Sequence, residues 1–234
     1  LYIACRYGHI EIVKLLLNDK RIEIIKADED GKIPFHIACR HGHIEIVKLL
    51  LNLNRVDINQ ANKSGCTPFL RASQGHIEIV KLLLNDKRVD INKTNNYGQT
   101  PFYVACQNGH NETVKLLLND HRVDINKTNE SGWTPFSIAC HNGRLGIIEY
   151  IIASGKEVNV NTKNKNGQTS MEIARNRANE EKASWESEEE CQKRKRDCSK
   201  IVELLESFER DPIETRFKLR RKLGLIGKIQ SKSI

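Results

Sequence analysis

The chain has 234 residues, with 38 Lys and Arg against 30 Asp and Glu and a formal charge of +8; its 38% hydrophobic content is that of a globular protein and excludes collagen-like and fully disordered classes. No apolar run approaches the roughly 18 residues that a membrane-spanning helix needs, which excludes such a helix. Only 6% of the residues are aromatic, so the predicted core is aliphatic. The sequence opens on Leu1 in the middle of a repeating unit and reads as a fragment, which leaves any upstream leader outside it.

The organising feature is self-similarity. Prolines 34, 68, 101 and 135 keep a beat of 33 to 34 residues. Gly8-His9, Gly42-His43, Gly75-His76 and Gly109-His110 repeat with it, and Gly143-Arg144 continues it. IEIVKLLLN recurs at 10, 44 and 77, and RVDIN at 55, 88 and 122. Five units are plain and a sixth opens at Asn166. Within a unit, Thr67, Thr100 or Thr134 predicts a helix N-cap, and the Pro behind it suits a first helical position whose missing N–H has no partner to lose. The first helix runs to a glycine suited to a left-handed turn. A second helix follows, with Val114, Leu117 and Leu118 on one face. The Asn-, Ser- and Gly-rich stretch before the next Thr predicts a β-turn or hairpin tip. One such unit leaves a helix face uncovered, so the units must stack into a solenoid.

The pattern G-x-T-P-F-x-x-A-C-x-x-G-H-x-x-x-V-K-L-L-L, five times over from residue 1 to about 175, resembles the ankyrin repeat, whose hallmark is T-P-L-H-x-A. The resemblance implies an all-α solenoid of stacked helix-turn-helix units with β-hairpin or turn tips, used as a non-catalytic protein-binding scaffold. Two departures stand out. The glycine usual after the second helix is replaced by Asn-Asp, as at Asn85-Asp86 and Asn119-Asp120, where Asn is expected to take the left-handed conformation. Only Ser154-Gly155 restores it. The third unit is one residue short, TPFLRASQGH, which puts Arg71 on or beside the position of Ile37 or Ala38; this unit is then either the weak joint of the array or a drifted repeat that has repacked locally.

Residues 166–209 read as a terminal capping repeat interrupted by a charged insertion, 178–199, expected to be helical and to project past the stack. Glu189 with Lys193 and Glu190 with Arg194 are spaced for ion pairs along it. The 210–234 segment then predicts a basic helix capped by Asp211 and Pro212 and stopped by Gly224. Between 212 and 234 there are 7 basic residues and 1 acidic. Arg216, Lys218, Arg220, Arg221 and Lys222 could meet nucleic acid or an anionic membrane. In the alternative, Ile213 and Phe217 dock onto the last repeat and the charges are only solvated.

Cys5, Cys39, Cys106 and Cys140 sit at one repeat position and read as packing thiols, which points to a reducing compartment, cytoplasmic or nuclear. Cys39, His41 and His43 lack a usual zinc spacing, so no metal is expected. No phosphate-binding glycine motif or nucleophilic triad is present, so neither cofactor nor catalysis is expected. The resemblance assigns partner binding to the tips and to the first helices. Carried over position by position, it names Lys32, His36, His41, Cys66, Tyr97, Gln99, Tyr103, Asn108, Trp133 and His141. Tyr97, Tyr103 and Trp133 form the expected hot spot. No small-molecule substrate is implied, and the protein partner has no name in the sequence.

Overall fold

The computed structural model describes residues 1–53, 55–184 and 186–225, among which there are thirteen helices and no strand. They form two compact units, residues 1–124 and 125 onward.

The first unit alternates first helices α1 (Tyr2–Tyr7), α3 (Pro34–His41), α5 (Pro68–Ala72) and α7 (Pro101–Asn108) with second helices α2 (Ile10–Asn18), α4 (Ile44–Leu51), α6 (Ile77–Leu84) and α8 (Asn111–Asn119). Thr67 and Thr100 cap as expected, their hydroxyls accepting from Leu70 N at 3.1 Å and Tyr103 N at 3.0 Å. Like stacks on like: α1 packs on α3, α3 on α5 and α5 on α7, while α2, α4, α6 and α8 form a parallel row. Phe35, Phe69 and Phe102 fill the same buried place in successive repeats, and Val47, Val80 and Val114 are the equivalent buried residues of the second row. Each tip is a turn closed by one side chain. Asn62 Oδ1 accepts from Ser64 N and Cys66 N, and Asn95 Oδ1 from Tyr97 N and Gln99 N, at 2.9–3.1 Å. Neighbouring tips share a backbone hydrogen bond, Lys63 N to Asp30 O and Asn96 N to Ser64 O.

The repeated Gly-His pair is a joint between repeats. His43 Nε2 lies 3.0 Å from Arg6 O, and His76 Nε2 lies 2.6 Å from Arg40 O. The ring passes so close to the preceding glycine that a Cβ on Gly42 would lie 2.6 Å from His76 Nδ1. The Asn of RVDIN stitches loops in the same way: Asn59 donates to Arg88 O at 2.7 Å and accepts from Asp90 N at 2.8 Å.

The exits from the second helices differ from expectation. No described residue other than glycine has a positive φ; Asn52 and Asn85 stay in the right-handed region and Asp120 is extended. The extra residue builds a clip instead. Asp120 accepts from Arg122 N and holds the Arg122 guanidinium, whose Nη2 reaches back 2.8 Å to Leu84 O at the end of α6. Arg88 does the same with Asp86 and, more weakly, Leu51 O. An arginine from the next repeat satisfies the orphan carbonyl that a left-handed glycine would have helped to satisfy.

The short repeat loses its residue at the end of α5, not in its middle. Ala72 and Ser73 occupy the buried places of Ala38 and Cys39, and His76 N bonds Ala72 O as His43 N bonds Ala38 O. Arg71 therefore stands at the Ile37 position. It is half-buried and turns its guanidinium toward Gln74 Oε1 at 3.4 Å.

The second unit contains α9 (Pro135–His141), α10 (Leu145–Ser154), α11 (Ser170–Asn179), α12 (Glu188–Arg210) and α13 (Pro212–Lys222). The expected projecting arm is absent: the charged stretch and the second helix are one 23-residue helix, α12. It buries Cys191, Arg194, Cys198, Ile201, Leu205 and Phe208, a stripe at steps of three and four that presents one continuous face. Ser187 and Glu190 close its start as a capping box. Glu190 is thus spent on the cap, and the buried Arg194 pairs with Glu186 at 2.8 and 2.9 Å and donates to Arg177 O, which ties down the chain between α11 and α12.

In α13, Thr215 and Leu219 are buried while Ile213 and Phe217 stand 81% and 53% exposed. The docking pair anticipated from the sequence is therefore wrong by two residues. Asp211 caps this helix through Ile213 N and Glu214 N.

Candidate binding surface

Two sets of side chains differ sharply in character. Along the second helices of the first unit, Glu11–Lys14, Glu45–Lys48, Glu78–Lys81 and Glu112–Lys115 form the same ion pair at 2.6–2.7 Å in each repeat. That face carries the same charges in every repeat and neutralises them locally. The residues that vary lie at the tips and on the first helices, and burial divides them.

In the first unit, His36, Cys66 and Tyr103 are removed from the candidate surface, since each is buried. His36 Nδ1 accepts from Ile33 N and its Nε2–H donates to Cys66 O at 3.1 Å, so the ring bridges two repeats. Burial, the largest influence, brings its pKa down to about 4. Tyr103 occupies the same repeat position one unit beyond Leu70, and burial pushes its phenol up to about 12. Lys32 is half-buried and committed to Asp30 and Asp28. Gln99 is half-buried, its Oε1 accepting from Asn95 Nδ2 at 2.8 Å. The outward-facing residues are Tyr97, 65% exposed at its tip, together with Asn108 and His41. His41 lies over His43 with ring centroids 6.2 Å apart. Partial burial, then Arg40 and the neighbouring histidines, lowers its pKa. Cys39 is buried with its thiol raised by desolvation, and the His43 ring bonds a carbonyl, so Cys39, His41 and His43 do not converge on an ion.

In the second unit, Trp133 and His141 come together. Trp133 N bonds Asn129 Oδ1 in the tip turn at 2.9 Å, and the indole meets the His141 ring edge-on at a centroid distance of 5.3 Å. They line a cleft of about 380 Å³. Trp133 and Ile173 are its apolar residues; Gln168, Asn176 and Asn179 supply amides; the Arg177–Glu180 ion pair completes it. Arg177 Nε also donates to His141 O at 3.2 Å. Burial lowers the His141 pKa, and the charges of Arg177 and Arg194 add to it, so the ring is neutral near pH 7. The contribution of α11 to this cleft went unread in the sequence. Its signal was present, because Asn176 stands at the repeat position of His141.

The basic residues of α13 separate into engaged and exposed. Arg220 Nε donates to Ala153 O at 2.9 Å, and Lys222 Nζ lies 2.6 Å from Glu149 Oε1, both on α10. The Arg216 guanidinium lies over the Phe208 ring at 5.2 Å, and Lys218 pairs with Glu214 at 3.3 Å. Arg221 is exposed.

Tandem helix pairs joined by glycine-bearing turns, each covering the face its neighbour leaves open, define a solenoid of stacked repeats. The family model for ankyrin repeats matches residues 1–95, 35–129, 72–164 and 121–184 in overlapping copies, and the chain belongs to the ankyrin-repeat family. No curated protein matches it. No helix among the described residues is long and apolar enough to cross a membrane.

Proposed function

We propose that this chain is a non-catalytic scaffold that holds a protein partner through its exposed tip and first-helix residues, with Tyr97, His41 and Asn108 in the first unit and Trp133 and His141 in the second. Ankyrin repeats are in general protein-interaction modules. The observation that carries the reading here is the Trp133–His141 pair lining a cleft. A half-exposed indole, already braced by a neighbouring ring, loses little freedom on binding, and aromatic residues dominate interface energies. The tail reading, in which nucleic acid or an anionic membrane binds the basic C-terminal segment, is weaker because Arg220 and Lys222 serve to hold α13 on α10.

Photo-crosslinking tests this. A benzophenone amino acid replaces Tyr97, Trp133, Lys48 or Arg221 in turn, in lysate of the source cells. Protein adducts at positions 97 or 133 and none at 48 are expected. Adducts at 48 as abundant as at 133 would defeat the assignment, and adducts at 221 alone would transfer the function to the tail.

A further inference from the structure

The cleft of the second unit has chemistry that narrows what can fill it. Its formal charges cancel, since Arg177 is matched by Glu180 and also satisfied by His141 O. A charged side chain entering it would shed water without meeting a counter-charge. Its apolar side is the half-exposed Trp133, with Ile173 buried behind the surface, and it suits an aliphatic or aromatic group. Asn176 and Asn179 each offer a donor and an acceptor, and Gln168, whose Oε1 already accepts from Asn164 Nδ2 at 3.3 Å, offers its amide N–H groups; a peptide backbone in extended form presents the matching groups. The volume of about 380 Å³ lies at the lower end of ligand-binding clefts and fits a side chain with the backbone on either side of it. The surroundings are fixed in advance: Arg194, buried and paired with Glu186, donates to Arg177 O at 2.5 Å and ties α12 to the end of α11.

We infer that this cleft binds an extended segment of a partner protein, seating one uncharged apolar side chain against Trp133 while the amides of Gln168, Asn176 and Asn179 hold the flanking backbone. The inference rests on the scaffold reading and names the chemistry of the partner at one of its surfaces. Binding here is governed by shape and apolar contact, so it is only weakly sensitive to salt.

The test selects random 12-residue peptides on phage against the full chain and measures synthetic copies by fluorescence anisotropy. The expected result is a family of peptides sharing one Leu, Ile, Met or Phe in an uncharged setting. Their affinity falls at least tenfold in Trp133→Ala and in Asn176→Lys and changes less than twofold in Lys48→Ala, on the second-helix face. Asn176 is exposed, so its replacement reads the cleft even if Trp133→Ala disturbs the fold. Peptides indifferent to both cleft variants, an enriched run of like charge, or no enrichment at all would overturn the inference. Crosslinks at Tyr97 alongside any of these results would leave the scaffold standing and remove only the cleft.

Discussion

Gly42 and His36 carry the clearest single-residue consequences. Gly42 has a φ of 81°, and the His76 ring of the next repeat fills the space where a Cβ would go. Gly42→Ala therefore meets both a left-handed backbone penalty and a clash. A loss of about 2 kcal/mol is expected in urea unfolding, and the double variant with His76→Ala should recover the part due to the clash. His36 is a buried neutral ring whose pKa falls from 6.5 to about 4, with Asp28 and Arg71 as the charged groups that act on it. The folded state disfavours the proton that the unfolded chain accepts. Stability is therefore whole above pH 6.5 and declines as the pH falls from 6.5 toward 4, by up to about 3 kcal/mol. His36→Gln should flatten that slope in unfolding curves at pH 7, 5.5 and 4.5, and an unchanged slope would place the acid sensitivity elsewhere. Glu186, held down to about 2 chiefly by its hydrogen bonds from Arg194, acts in a separate and lower window, from about 4.5 to 2.

At the scale of helices, an arginine from a neighbouring element closes the end of a second helix. Arg122 serves α6 in the first unit, and in the second unit Arg220 serves α10 although it comes from α13 instead of a repeat loop. The Arg220 guanidinium lies 2.6 Å from where a Cβ on Gly155 would be, so this glycine supplies both the left-handed turn and the room. Arg220→Ala should release α13 without melting α10. Hydrogen exchange should then show amides between Thr215 and Lys222 losing protection while those of Ile147–Ile152 keep it; equal loss in both would mean that α13 is integral to the core. The repeats themselves were legible because their beat and caps are local. The clip was not, because the partner of Arg122 is a carbonyl 38 residues away. Tyr103 was misplaced for another reason: the position reads His36, Leu70, Tyr103 and Ser137, and that variety looks like a recognition surface. It is variety inside the core, where each residue is matched to its own neighbours. The continuity of α12 was hidden by charge, since Arg194 sits in the buried stripe and its pairing with Glu186, with its hydrogen bond to Arg177 O, makes that tolerable.

A repeat array is stabilised by each repeat and by its nearest neighbours, so a local defect lowers stability where it lies and does not spread evenly. The first unit contains such a defect. Its α5 has five residues where α3 and α7 have eight, and Arg71 stands where Ile37 and Val104 are buried. The second unit gains a 23-residue helix with six buried positions and an internal ion pair. The two units should therefore lose structure at different denaturant concentrations. The chain supplies its own reporter, because both tryptophans, Trp133 and Trp185, come in sequence after residue 124, where the first unit ends. Tryptophan fluorescence follows the chain beyond the first unit, whereas far-ultraviolet circular dichroism follows every helix. The fluorescence midpoint in urea is expected above the dichroism midpoint, with amides of Phe69–Ala72 exchanging ahead of those in α3 and α7. Restoring the missing residue as an Asn after Ser73, together with Arg71→Val, removes the defect and should draw the two midpoints together by raising the dichroism transition alone. Coincident transitions in the unaltered chain would mean that the short repeat has repacked without loss and that the array unfolds as one cooperative body.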